Sequence, residues 1–177
     1  MRIPVFVSCP STLSSTQERS RALILEELAA FGLEPRAIGR SDYPIDFPLR
    51  EVAILCRHCS GGVILGFEQF CADSGAWKKD TPEAKVVKGS VSFPSPWNNM
   101  EGAILFALGL PILVFREPCI SGGIFDIGAT DAFIHGMPRP DCAPEERESL
   151  RAVVNRWQAR VQINYYQSWR LASNSGT

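Results

Sequence analysis

Residues Phe93 to Phe115, FPSPWNNMEGAILFALGLPILVF, leave the chain little freedom. Ser95 is a helix cap and Pro96 suits the first helical position. Trp97 to Leu108 are helix-compatible, and Gly109 ends the run. Pro111-Ile112-Leu113-Val114-Phe115 follows at once, a short apolar segment suited to a strand covered on both faces. A helix feeding directly into a buried strand is half of an α/β crossover. Trp97 and Glu101 lie four apart, so they share one face of that helix. A ring and a carboxylate side by side near a helix start suit a ribose-and-ring site. The plain alternative is a core tryptophan and a solvated glutamate.

The same alternation runs through the chain. Ile3 to Ser8, IPVFVS, reads as a buried strand. Ser15-Thr16-Gln17-Glu18 fits a capping box, and the helix runs to about Phe31, with Leu23, Ile24, Leu28 and Phe31 inward and Gly32 as stop. Pro35 to Ile38 is a weak second strand. A short helix spans about Leu49 to Cys59, and Gly62 to Gly66, GVILG, is the third strand. Glu68 to Ser92 is longer than most connections and holds Trp77 and every lysine of the chain: Lys78, Lys79, Lys85 and Lys88. It reads as a solvated loop, a flexible flap over an anionic ligand or a partner-contact loop, with Val86 to Phe93 adding a small edge strand. After a glycine-bearing loop, Asp131 to His135 suggests a fifth strand. Glu145 to about Leu171 is the last helix, striped with Leu150, Val153, Val154, Trp157, Val161, Tyr165 and Trp169.

This order predicts one α/β domain over residues 1–177, a flavodoxin-like three-layer αβα sandwich. Its five-stranded, mostly parallel sheet takes the order 2-1-3-4-5. Formal net charge is -1, so no global field draws the chain to nucleic acid or membrane. No apolar run reaches membrane-spanning length and no leader pattern precedes the first strand, which sets a cytoplasmic expectation. Six cysteines without such a leader suit free thiols. Cys56-Arg57-His58-Cys59 has CxxC spacing but no second pair, so no metal site is expected. His58 and His135 read as structural.

In a sheet of this order, ligands bind beyond the carboxyl ends of the strands, where the order switches between the first and third. That edge collects Ser8, Cys9 and Ser11 after the first strand, Asp42 and Tyr43 after the second, the lysine loop, and Trp97, Asn98 and Glu101 at the start of the central helix. These are the candidate site residues, with Lys78 and Lys79 as candidates for phosphate.

The segment Ser95-Pro96-Trp97-Asn98-Asn99-Met100-Glu101 resembles TIR domains in its serine, tryptophan and glutamate spacing. Val5-Phe6-Val7-Ser8 resembles their first strand, which ends in serine. Glu101-Gly102-Ala103 through Leu108-Gly109-Leu110-Pro111 is also similar to the glutamate helix of nucleoside 2-deoxyribosyltransferases. The likeness in element order covers roughly residues 3 to 135, and its specific part is about 20 residues around Glu101. Two departures stand out: the lysine loop is not in a minimal TIR domain, and Cys9 replaces a tyrosine that often follows the first strand. The resemblance implies that Glu101 is catalytic in cleaving NAD+ at the nicotinamide–ribose bond, giving ADP-ribose or a cyclic product. It also implies no cofactor beyond NAD+ as substrate, a homo-oligomer, and a nucleotide signal for a downstream effector in bacterial anti-phage defence. A deoxyribosyltransferase or nucleoside hydrolase is the alternative; it needs a second carboxyl group, from Asp42, Asp73 or Asp126, to protonate a poor leaving base. A non-catalytic TIR-type interaction or nucleotide-binding module is the third.

Overall fold

The structure, a computed structural model, describes residues 2–42, 45–132 and 134–174, the last seven by backbone alone. The first half of the chain runs β1 (Ile3–Ser8), α1 (Ser15–Ala30), β2 (Leu33–Arg36), α2 (Pro48–Arg57) and β3 (Gly62–Gly66). Four short strands follow: β4 (Phe70–Ala72), β5 (Ala76–Trp77), β6 (Lys85–Val86) and β7 (Val91–Phe93). The chain ends with α3 (Pro96–Ala107), β8 (Ile112–Arg116), a 3-10 turn at Gly123–Phe125, β9 (Ile134–Gly136) and α4 (Pro144–Asn174). The main sheet has the order β2-β1-β3-β8-β9 with every pair parallel. Ranked by position in the chain, that is 2-1-3-4-5, a flavodoxin-like fold. No helix among the described residues is long and apolar enough to cross a membrane.

The period-two alternation of strand side chains divides the core. Val5, Val7, Val63, Leu65, Leu113 and Phe115 face α1 and α4. Phe6, Ile64, Ile112 and Val114 face α2, α3 and the 3-10 turn. β3 is buried at every position, as a central parallel strand must be. Helix α3 is pressed hard onto it: a Cβ on Gly62 would lie 2.2 Å from Leu105 Cδ1. On its other side a Cβ on Gly102 would lie 2.8 Å from Ile124 of the 3-10 turn. These two glycines let the helix that carries Glu101 sit close, so its rotation about its own axis is tightly set.

Several boundaries differ from expectation. The capping box opens one residue earlier, at Ser14: its Oγ accepts from Gln17 N at 3.2 Å and its N donates to Gln17 Oε1 at 3.1 Å. β2 begins at Leu33, because β1 pairs with it from Ile3↔Leu33, directly after the Gly32 turn. β9 is three residues long and starts at Ile134. Helix α2 stops at Arg57, and Cys56 and Cys59 are free buried thiols, each pushed up to about 12 by burial.

The lysine segment is not an irregular loop. It folds as a two-tier hairpin arm, β4 against β7 and β5 against β6. Phe93 stands between Phe70 and Trp77, with ring centroids 6.3 and 5.7 Å away. The tip turns through left-handed backbone at Lys78 and Asp80. The base is tied to the sheet: Glu68 N donates to Glu117 Oε2 at 2.6 Å, and Ser92 Oγ donates to the Glu68 carboxylate.

One buried charge escaped the periodicity. Glu27 of α1 is 2 % exposed and accepts from Arg147 and Arg151 of α4, at 3.4 and 3.1 Å. α4 itself buries Leu150, Val154, Trp157 and Val161, and Trp157 Nε1 donates to the Pro111 carbonyl at 3.1 Å. Trp169 lies outside the described side chains.

Candidate active site

β1 and β3 are neighbours at the centre of the sheet, and their crossovers leave on opposite faces, so a crevice opens above their carboxyl ends. Helix α3 starts at its rim. Ser95 Oγ accepts from Trp97 N at 3.3 Å, and Pro96 fills the first turn. From this start Asn98, Glu101, Gly102 and Leu105 point inward at helical spacing.

The crevice is a cleft of about 310 Å³. Cys9, Pro10, Ser11 and Thr12 of the first loop form one wall, and Ser95, Trp97, Asn98 and Glu101 of α3 the other. Ile38, Pro48 and Val52 close it on the α2 side, and Gln69 enters from the base of the hairpin arm. Trp97 keeps 41 % of its surface open and walls the cleft rather than packing beneath the helix.

Glu101 is 8 % exposed. Burial pushes its carboxyl up to about 7, against a hydrogen-bonding contact from Ser8 that favours the ionised form. Among the described residues no arginine or lysine pairs with it. Asn98, one turn earlier, donates from Nδ2 to Ser8 Oγ at 2.7 Å and to the Leu65 carbonyl at 3.4 Å. Its Oδ1 is buried and has no hydrogen-bond partner. Burial also pushes the Cys9 thiol up to about 11, so it is neutral at physiological pH and no nucleophile.

The structure therefore brings Cys9, Ser11, Trp97, Asn98 and Glu101 to one cleft. Ser8 is fully buried beneath it, where Asn98 donates to its Oγ, and it does not line the cleft. Asp42 is turned elsewhere. It takes a bidentate pair from Arg36, with Nε at 2.9 Å, and a bond from Ser41 Oγ at 2.8 Å. The Arg36 hydrogen bonds hold its carboxyl below the usual range. Tyr43 lies outside the described residues. Lys78 and Lys79 sit at the far turn of the hairpin, Lys78 paired with Glu83, and neither lines the cleft. Asp126 accepts from Gly122 N at 2.8 Å within its own turn, and Asp73 is exposed on the arm. Among the described residues, no second carboxyl group lines the cleft. Gln69 and Thr12 are cleft residues that sequence reasoning missed, although each lies three or four residues past a strand end that the topology places at this edge. A wider groove of about 570 Å³ runs between α1, α4 and the β8–β9 loops, but its glutamates, Glu117 and Glu146, are not buried.

No protein-family model matches the chain, and no curated protein matches it. Among solved structures it is similar to a diflavin flavoprotein A3 from Nostoc sp., at 11% identity and a TM-score of 0.45, over 94% of this chain and 97% of that one. It is also similar to the metal-soaked Flv1 flavodiiron core from Synechocystis sp. PCC6803, at 9% identity and a TM-score of 0.44, over 94% of this chain and 36% of that one.

Proposed function

We propose that this cleft cleaves the N-glycosidic bond between nicotinamide and ribose in NAD+. The observation that carries the reading is Glu101, a buried carboxyl group beside an open tryptophan ring, with no arginine or lysine paired to it among the described residues. The resemblance of Ser95–Glu101 to the TIR motif supports the same assignment.

The chemistry follows from charge. The C1′–N bond breaks with its electron pair leaving on nicotinamide, which departs neutral from a cationic ring and needs no proton. C1′ is left as an oxocarbenium. A carboxylate close by stabilises that cation and accepts hydrogen bonds from ribose hydroxyls. A cationic ring entering the cleft also favours the ionised form of Glu101, so binding and deprotonation are coupled. Trp97 offers a face for the ring. Water adds to C1′, loses a proton and yields ADP-ribose; attack by a group of the same molecule yields a cyclic product. With Lys78 and Lys79 on the arm, the groups nearest a pyrophosphate are the hydroxyls of Ser11 and Thr12 and the amino end of α3. A signalling role in bacterial defence rests on the TIR resemblance alone.

One observation favours a second reading, nucleoside glycosyl chemistry. A carboxyl group with its midpoint near 7 is a proton donor at neutral pH, as a poor leaving base requires. The two readings differ in sign. Cleavage of NAD+ needs Glu101 ionised and rises with pH through about 7; proton donation to a base falls over the same interval.

Chromatography of products separates them. Pure protein is incubated with NAD+ and, separately, with a 2′-deoxynucleoside. Free nicotinamide from the wild type, lost in Glu101→Gln, supports the proposal. Free base with inert NAD+ overturns it in favour of the second reading, and no product from either overturns both.

A further inference from the structure

We propose that the slot between α4 and the outer edge of the sheet binds a small organic carboxylate with an apolar body. The slot holds about 190 Å³ and shares no lining residue with the cleft of Glu101. It opens where the edge strand runs out. β9 covers β8 only from Val114 onward, so among the described residues no strand lies outside Ile112 and Leu113. These two residues form its floor with Trp157 of α4, and all three are buried. Trp157 is fixed there by the bond from its Nε1 to the Pro111 carbonyl. His135 of β9 forms a side wall, its ring 5.8 Å from that of Phe115. Burial, and after it the charge of Arg156, holds the imidazole below its ordinary value, so this wall is uncharged at neutral pH.

The mouth of the slot has the opposite character. Arg156 and Arg160 line it, exposed and one turn apart on α4. Two like charges at that spacing repel unless an anion stands between them. Arg147 and Arg151, earlier on the same helix, meet Glu26 and Glu27 of α1. Arg156 and Arg160 have no ion pair among the described residues. Their own helix offers none within a turn, because no aspartate or glutamate follows Glu148 in the sequence. An apolar slot with two such guanidinium groups at its mouth is complementary to an anion that carries a ring or a short chain. A planar carboxylate suits them, since a guanidinium donates paired N–H bonds to its two oxygens. The volume sets the size of the body. An apolar cavity of about 150 Å³ takes up benzene, so one ring and a short linker fill this slot.

The probe is phenylacetate, titrated into the isotope-labelled full chain and followed by NMR at the amides of Leu113 and His135 and the indole of Trp157. Saturable shifts are expected, with a dissociation constant below about 1 mM. Phenylacetamide has the same body without the charge. It should bind about tenfold more weakly, the worth of one charge-assisted hydrogen bond. Arg156→Gln combined with Arg160→Gln should bring phenylacetate down to the level of the amide. Ala152→Phe, at an exposed position of α4 that lines the slot, should fill it and abolish the shifts from both compounds. All three substitutions are at exposed positions, so the fold survives them, and circular dichroism checks this. Equal affinity for acid and amide overturns the proposal, as does phenylacetate binding that survives Ala152→Phe. Inorganic phosphate that binds here as tightly as phenylacetate overturns it too, leaving a bare basic patch. An absence of shifts up to about 10 mM phenylacetate overturns it outright. Should Ala152→Phe not fold, the double glutamine variant decides alone, and an unchanged affinity in it overturns the proposal.

Discussion

Among the described residues two glutamates are buried to nearly the same degree, Glu27 at 2 % and Glu101 at 8 % exposure. Their surroundings are opposite. Glu27 is clasped by Arg147 and Arg151, which reach over from α4 with their heads half in water. It joins two helices, and its charge is met where it stands. Glu101 has no arginine or lysine paired with it among the described residues, and burial opposes its ionisation. A buried carboxyl with no partner costs stability once it loses its proton, and folds place such groups mainly where chemistry uses them. Burial alone does not mark a site; burial without a counter-charge, at the mouth of a cleft, does.

The comparison breaks first on activity. Glu101→Gln keeps shape and removes charge, and it should lower kcat/KM for nicotinamide release by about 10³-fold or more, roughly 4 kcal/mol of transition-state stabilisation. Glu27→Gln should leave any rate of nicotinamide release by the folded protein unchanged. Equal losses in the two variants would erase the distinction.

The next effect is on stability, and its sign is the unusual one. The folded-state midpoint of Glu101 stands near 7 against an ordinary 4.5, so the folded protein holds this proton more tightly than the unfolded chain. The stability tied to that proton is full below about pH 4.5 and lost as pH rises through about 7. Glu101→Gln escapes this loss. It should be more stable than the wild type by up to about 3 kcal/mol at pH 8, with little difference near pH 4. Urea unfolding at both pH values checks it.

A smaller loss is expected at the paired glutamate. Glu27→Gln should lower stability at pH 7 by about 1 kcal/mol, discounted because both arginines are partly solvated. Chemical denaturation measures it, and a gain in stability would show that the clasp does not hold the helices. The smallest effect belongs to the hairpin tip. Lys78→Ala with Lys79→Ala should change KM for NAD+ by less than about twofold, since exposed charges away from the cleft are screened. A tenfold rise in KM would mean that the arm folds over the cleft and supplies the charge its walls lack.

The sequence made the Glu101 side of this comparison legible and hid the Glu27 side. The cap at Ser95, the shared helix face of Trp97 and Glu101, and the three apolar runs are local signals, and the switch-point rule converts them into a cleft. Glu27 interrupts a helix face read through Leu23, Ile24, Leu28 and Phe31, and its partners lie 120 and 124 residues further on. Periodicity treats a paired buried charge as a polar residue, so it predicts exposure. Asp42 failed for the same reason at shorter range: the strand edge placed it correctly, but Arg36 takes up both its oxygens. Sequence pattern reads the hairpin arm as a loop because its strands are two or three residues long. No alternation is visible at that length, and the aromatic contacts that hold it are between strands.

The pH dependence of kcat/KM for nicotinamide release, in wild type and Glu101→Gln, tests the account most directly, because it reads the ionisation of the free enzyme. The wild-type curve should rise through about pH 7 and level above it, with the variant flat at a residual rate. A wild-type curve flat from acid to alkaline pH, or a variant that keeps the rise, would contradict it.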